Sequence, residues 1–206
     1  MKIGVLNFGI GNVTSIQNML KKVGFESDLI SSPNEVSDFD KVILPGVGSF
    51  DYAMNTLNLN SWLDELNKFV LIDEKPILGI CLGMQLMCKS SEEGKLPGLS
   101  WIDANLKKFS TSTNFQLKVP HMGWNNVNVK AGNSDLFIEL EKNNRFYFVH
   151  SYYVEVKNKS YESSITNYNG IDFVSSFQNK NIFGVQFHPE KSHKFGLKLL
   201  ENFTKL

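Results

Sequence analysis

The chain has 206 residues, 42% of them hydrophobic and 20% charged, a makeup that excludes a disordered or collagenous protein and lets a core form without disulfide or metal staples, with roughly 70% of the unfolded surface buried on folding. Its 21 Lys and Arg balance 21 Asp and Glu, and no basic stripe is long enough to neutralise a run of phosphates, so nucleic acid is not expected as a partner. The longest apolar runs, Val42 to Leu44 and Pro76 to Leu82, fall far short of a membrane span and the N-terminus reads as a strand rather than a signal peptide, so the expectation is one domain over residues 1–206 in the cytoplasm.

In chain order, Ile3 to Leu6 is an apolar run that opens on a glycine-containing turn. Val13, Ile16, Leu20 and Val23 then recur at helical spacing, with Asn12 placed to cap the helix. Ser27 to Ile30, Lys41 to Leu44 and Pro76 to Ile80 read as further short strands of a parallel, buried kind, and Ser61 to Val70 as a helix between them. From about Trp101 the chain turns to β-branched and aromatic residues between Asn, Gly and Lys turns. Val127 to Val129, Arg145 to Val149, Tyr152 to Val156, Asp172 to Phe177 and Ile182 to Gln186 read as antiparallel strands. Phe195, Leu199, Leu200 and Phe203 mark a closing helix. The fold class expected is α/β: a central, mostly parallel sheet flanked by helices, with an antiparallel extension in the second half.

Chemistry concentrates at three strand ends. Gly79-Ile80-Cys81-Leu82-Gly83 is the cysteine counterpart of a nucleophile elbow, a tight strand-to-helix turn whose glycines avoid collisions. Such a turn exposes Cys81 at a helix N-terminus, where the partial positive charge favours a thiolate, and offers the Leu82 N–H as an oxyanion donor. A buried intracellular cysteine is more often a small hydrophobe, and Cys88 fits that description. Seven residues apart on one turn-plus-helix segment, the two cysteines lie about 10 Å apart along the axis and cannot bridge.

Phe187-His188-Pro189-Glu190 follows the last strand and supplies an imidazole to take the thiol proton and a carboxylate to hold the imidazole. A lone His-x-Glu is weak evidence; it is the conjunction with the elbow that signals. Pro45-Gly46-Val47-Gly48, after the third strand, can turn backbone N–H groups towards a ligand, although alone it would pass for a simple turn. Gly9-Ile10-Gly11 begins a dinucleotide fingerprint, but Thr14 stands where the third glycine belongs and no acidic residue follows at the required distance. A tight turn or partner surface is the better reading. The four histidines are scattered and no CxxC occurs, so neither metal nor cofactor is expected.

In this order, Pro45 to Gly48, Gly79 to Gln85 and Gly184 to Glu190 resemble the class I glutamine amidotransferases. Within that family, Asn7 to Asn12, Pro120 to Asn125, Phe146 to Tyr153 and His188 to Ser192 look like the glutaminase subunits of imidazole glycerol phosphate synthases, a likeness covering nearly the whole chain. The resemblance implies a glutaminase nearly idle until it docks on a (β/α)8 cyclase partner, to which ammonia passes without meeting water. It implies Cys81 as nucleophile, His188 as acid and base, Glu190 as orienting carboxylate, and Val47 and Leu82 as oxyanion donors. Gly48, Gln85, Ser151 and Tyr152 match positions that hold glutamine; Asn12, Met122, Trp124 and Lys191 match the face that meets the cyclase, Trp124 being alternatively a core aromatic. Ser192 to Gly196 and Gly98 to Ala104 look more like paralogues that feed amidino-sugar synthesis, which leaves the acceptor open. A non-catalytic binding module and a stand-alone γ-glutamyl cysteine hydrolase complete the alternatives.

Overall fold

The computed structural model describes residues 1–110, 118–130, 132, 135–140 and 143–206. Strand β1 (Ile3–Leu6) leads into helix α1 (Val13–Lys22) and returns as β2 (Ser27–Ile30); a 3-10 turn over Pro33–Asp38 connects to β3 (Lys41–Leu44), followed by α2 (Phe50–Leu59) and α3 (Trp62–Asn67). A π-helical turn over Lys68–Ile72 extends α3, so the helix expected over Ser61 to Val70 is in fact two pieces. Then come β4 (Ile77–Ile80), α4 (Leu82–Leu86), β5 (Ser90–Ser91), β6 (Ala104–Lys108), β7 (His121–Asn126) and β8 (Asn128–Val129). The remainder is β9 (Arg145–His150), β10 (Tyr152–Val156), β11 (Glu162–Tyr168), β12 (Ile171–Asn179), β13 (Ile182–Val185) and α5 (His193–Lys205).

Eleven of the described strands form one sheet whose main path runs β2-β1-β3-β4-β13-β12-β10-β6-β5, while β7 and β9 pair as a separate antiparallel ribbon. The first five are mutually parallel. In β1, β3 and β4 every residue is buried, as expected of parallel strands covered on both faces. By contrast β2 is the edge, with Asp28 and Leu29 exposed. One expectation needs correcting: Ile182 to Gln186 is not simply antiparallel. Strand β13 runs parallel to β4 and antiparallel to β12, which makes it the seam between the two halves of the sheet.

Alternation along the strands divides the core between the sheet's two faces. Leu6, Val42, Leu44 and Ile77 pack with residues of α2, α3 and α4; Ile3, Val5, Ile43, Leu78 and Ile80 pack with residues of α1 and α5. Both clusters draw on the second half too, through Leu106, Val154 and Val174 on one side and Phe146, Phe148 and Phe187 on the other. No helix among the described residues is long and apolar enough to cross a membrane.

Because β3, β4 and β13 are neighbours and parallel, the loops leaving their carboxyl ends emerge side by side. That is how segments around residues 46, 81 and 188 come to share one place.

Lys41 opens β3 with an ammonium that is buried despite its charge. Nζ donates to the carbonyl oxygens of Phe203, Thr204 and Leu206 at 3.1, 2.8 and 2.6 Å, closing the orphan carbonyls of α5 and complementing its dipole. Lys41→Met should strand those acceptors and lower stability by about 3 kcal/mol; a urea-unfolding midpoint equal to the parent's would refute this clamp.

Candidate active site

The turn after β4 is the elbow the sequence suggested. Cys81 adopts φ 54°, ψ −108°, a strained backbone for a residue with a side chain, and its N–H is tied to the Val185 carbonyl of the adjacent β13 at 2.8 Å. Two glycines make the turn possible by close approach. A Cβ on Gly83 would lie 1.9 Å from the Leu44 carbonyl oxygen, and one on Gly79 would lie 2.7 Å from the Met84 nitrogen. Cys81 thus sits at the N-cap of α4, with only 7% of its surface exposed. Cys88 is wholly buried, and burial raises its thiol well above the ordinary range, as suits an inert packing residue.

His188 arrives from the end of β13. Its N–H donates to the Tyr147 carbonyl of β9 at 2.9 Å, and its own carbonyl accepts from the Ser192 hydroxyl at 2.6 Å. That hydroxyl also accepts from the Tyr147 N–H at 3.0 Å. Ser192 therefore braces the loop that carries the imidazole. His188 Nδ1 lies 2.7 Å from Glu190 Oε1, with both side chains almost completely buried. Ring nitrogen Nε2 is buried without a hydrogen-bond partner among the described residues. Burial would lower this imidazole, but the Cys81 sulfur and the Glu190 carboxylate more than offset it and raise it to about 10. A ring so placed can hold a proton beside the sulfur near neutrality and pass it on.

The loop after β3 packs directly on the elbow, since a Cβ on Gly46 would come within 2.9 Å of the Gly83 nitrogen and Leu82 Cβ. Val47 projects into solvent, and Gly48 follows at φ 101°. Leu82 occupies the first position of α4, where its N–H has no intrahelical acceptor. Gly48, Gln85, Ser151 and Tyr152 line one cavity of about 230 Å³ together with Glu93, Pro120, Val149 and His150. Cys81 is not in its wall, but its Sγ lies 3.9 Å from the carbonyl oxygen of Val149, which is. Wider hollows exist, one of about 380 Å³ along β10 and β12, but they lie away from these groups.

Glu93 is the residue the sequence did not reveal. One carboxylate oxygen accepts the Phe50 N–H at 3.0 Å, fixing the side chain at the head of α2, and the carboxylate gives the cavity a negative charge suited to an ammonium. The Tyr152 carbonyl oxygen is engaged within the protein by His150 Nδ1 at 2.8 Å and Gln85 Nε2 at 3.1 Å. The Asn12 side chain makes no capping bond although it stands at the N-cap of α1.

Asn12, Met122, Trp124 and Lys191 are all exposed. Trp124, at 39% exposure, is no core aromatic; it stacks on His193 with centroids 5.3 Å apart. Lys191 lies over the Tyr147 ring, and α1, which Asn12 opens, contacts the Pro189–Lys191 turn. The β7–β9 ribbon and that turn thus form an outer face directly behind His188 and Glu190. Among the described residues no group of three His, Cys, Asp or Glu is placed to hold a metal ion.

A cysteine elbow beside a buried His–Glu pair, at the carboxyl end of a parallel sheet, defines a protein able to cleave acyl bonds through sulfur. The chain belongs to the glutamine amidotransferase class-I family, which it matches over residues 4–206. It is 51% identical to the imidazole glycerol phosphate synthase subunit HisH 2 of Methanococcus maripaludis, covering 98% of each chain. It is also 44% identical to the subunit HisH of Leptospira borgpetersenii, over 99% of this chain and all of that one. Of solved structures, one described as a glutamine amidotransferase superposes with TM-score 0.76 at 16% identity, covering 100% of this chain and 98% of that one. PurLQS from Thermotoga maritima does so with TM-score 0.76 at 18%, over 99% and 97%. At those identities the structures speak for the fold alone.

The raised imidazole carries a sign that can be checked. Between the ordinary value of 6.5 and about 10, folded His188 keeps a proton that the unfolded chain releases. This share of stability is therefore complete below the lower value and is lost as pH rises through the upper one. Glu190→Gln removes one of the groups holding the proton, so its unfolding free energy should fall less steeply than the parent's across that window. Parallel urea titrations would contradict this.

Proposed function

We propose that this chain, acting as a single domain, is the glutaminase subunit of a two-protein synthase in L-histidine biosynthesis. It hydrolyses L-glutamine and delivers the ammonia to a (β/α)8 cyclase that makes imidazole glycerol phosphate and AICAR. The observation that carries the reading is the Cys81 elbow beside the buried His188–Glu190 pair, next to a cavity with Glu93 and Gln85 in its wall. The near-full-length relatives named as subunits of imidazole glycerol phosphate synthase favour this acceptor over a sugar precursor.

In this reading the Cys81 thiolate attacks the glutamine side-chain amide carbon, and the oxygen that gains charge is met by the N–H groups of Val47 and Leu82. His188 gives its proton to the leaving nitrogen and ammonia departs, leaving a γ-glutamyl thioester on Cys81. Neutral His188 then takes a proton from water as the water attacks the thioester. The adduct collapses, the product leaves as the γ-carboxylic acid and ionises to glutamate in solvent, and thiolate and imidazolium are restored. Glu190 fixes the ring so that Nε2 faces the sulfur. Gly48, Gln85, Ser151 and Tyr152 shape the recess for the amino-acid end, with Glu93 opposite its ammonium.

Ammonia in neutral water is mostly protonated and no longer nucleophilic, so a sealed route to the acceptor keeps it reactive. Asn12, Met122, Trp124 and Lys191 form the docking face of a cytoplasmic heterodimer. A glutaminase without its partner would waste glutamine, which gives a reason for activity that depends on docking.

Glutamate release should be low for the chain alone and should rise steeply on adding the histidine-pathway cyclase with its ribonucleotide. Cys81→Ala should abolish it, and Glu190→Gln should lower kcat by about a thousandfold or more, the scale on which a mispositioned triad imidazole acts. Trp124→Ala should cut the stimulation while leaving the melting temperature unchanged, because the side chain is exposed. Absence of stimulation in the parent protein, with Cys81 still labelled by a glutamine analogue, would redirect the acceptor to a sugar precursor.

A further inference from the structure

Behind the cavity runs a chain of hydrogen bonds whose every proton can be assigned from backbone atoms. The Tyr152 carbonyl oxygen can only accept, so His150 Nδ1, at 2.8 Å, and Gln85 Nε2, at 3.1 Å, must both donate to it. On one branch, the second hydrogen of Gln85 Nε2 goes to Gln186 Oε1 at 3.0 Å, which turns Gln186 Nε2 towards Cys81 Sγ, 3.7 Å away. On the other, His150 Nε2 is left as an acceptor and takes a proton from His121 Nδ1 at 2.9 Å. His121 Nε2 then accepts from Asn125 Nδ2 at 3.2 Å.

The far end is ordered independently. Asn125 Oδ1 accepts the Asn126 N–H at 2.8 Å, so Nδ2 must be the atom facing His121 and the Asn167 carbonyl. Both ends demand the same arrangement, with both imidazoles neutral. Burial favours that state, pushing His121 down to about 4 and His150 to about 3. Gln186, His121 and His150 are almost completely buried. Asn125 belongs to β7, the strand that also carries exposed Met122 and Trp124.

We propose that Gln186 is a catalytic residue that stabilises the Cys81 thiolate by donating Nε2–H to Sγ, and that His121 and His150 are positioning residues that hold this donor in place through the Tyr152 carbonyl and Gln85. The inference rests on the glutaminase reading for its purpose but not for its geometry. A neutral amide is well suited to this task, because it stabilises an anion without offering a proton that would quench it. His121, stacked on Phe148 at 4.7 Å and against Tyr168 at 4.0 Å between centroids, is rigid enough to transmit a fixed orientation.

The test is the rate at which iodoacetamide alkylates Cys81 in the free, folded chain at neutral pH, read by peptide mass so that Cys88 is scored separately. Gln186→Leu should slow alkylation about tenfold, the scale of one hydrogen bond to a charged atom. Gln186→Glu, which keeps an acceptor for Gln85 but sets a carboxylate against the sulfur, should slow it further and covers the case where the leucine variant folds poorly. His121→Phe keeps the stacking and should slow it roughly threefold to tenfold. His121→Asn, whose amide can still donate to His150, should restore most of the rate, which a purely structural role would not require. Parental rates in both Gln186 variants, or in His121→Phe, would overturn the proposal, as would an asparagine variant no faster than the phenylalanine one. A parallel reaction with a diazoketone analogue of glutamine separates the two readings. If the parent ignores that reagent while the iodoacetamide pattern holds, the glutaminase assignment falls and the relay stands.

Discussion

The contact on which the rest depends is the approach of Gly83 to the Leu44 carbonyl, too close for any β-carbon. It lets α4 start directly against β3, so that Cys81 can turn out of β4 in a conformation that costs energy and is held by the Val185 carbonyl of β13. Three adjacent parallel strands are thereby locked at their carboxyl ends, and each contributes one loop: the glycine turn from β3, the elbow from β4, the His–Glu turn from β13. Strain at the nucleophile is sustained by a core that wraps both faces of the sheet and draws on both halves of the chain. Chemistry and packing are not separable here, since the glycines serving one also permit the other.

The histidines show how placement decides the behaviour of one residue type. His188 meets a carboxylate at 2.7 Å and a sulfur, and these overcome burial. His150 is buried without a carboxylate partner, and the Tyr152 carbonyl that accepts its Nδ1–H does not make up for the burial, so burial wins. Each outcome suits its neighbours: a ring beside Cys81 must carry and release a proton, whereas a ring inside an ordered chain of amides must keep one proton on one nitrogen.

How much was legible in the sequence follows from what the signals encode. The sequence places strands at Ser27 to Ile30, Lys41 to Leu44 and Tyr152 to Val156 with the bounds the structure gives them, because short apolar or β-branched runs between turn residues have little else to become. The helix Phe50–Leu59 is faint in the sequence: its interior asparagines and Thr56 dilute the apolar stripe, although Phe50, Ala53, Met54 and Leu57 do fall on one face. Strand β7 carries no strand signature because His121, Met122, Gly123 and Trp124 do not alternate apolar with polar, and the sense of β13 depends on partners far away in sequence. At the site, Cys81, His188 and Glu190 declared themselves by motif, whereas Glu93 lies in Ser90-Ser91-Glu92-Glu93-Gly94-Lys95, a stretch that reads as solvated loop. Its place in the cavity wall comes from the Phe50 N–H, a long-range contact that no local pattern announces.

The unequal burial of the tryptophans has an optical consequence. Of the three in the chain, Trp62 and Trp101 are 2% and 6% exposed, and only Trp124 stands in solvent. A collisional quencher such as iodide would therefore reach one indole and leave two as an internal reference for emission intensity. The surface around Trp124 carries its own fluorophore, so its covering and uncovering can be followed by light without attaching a label.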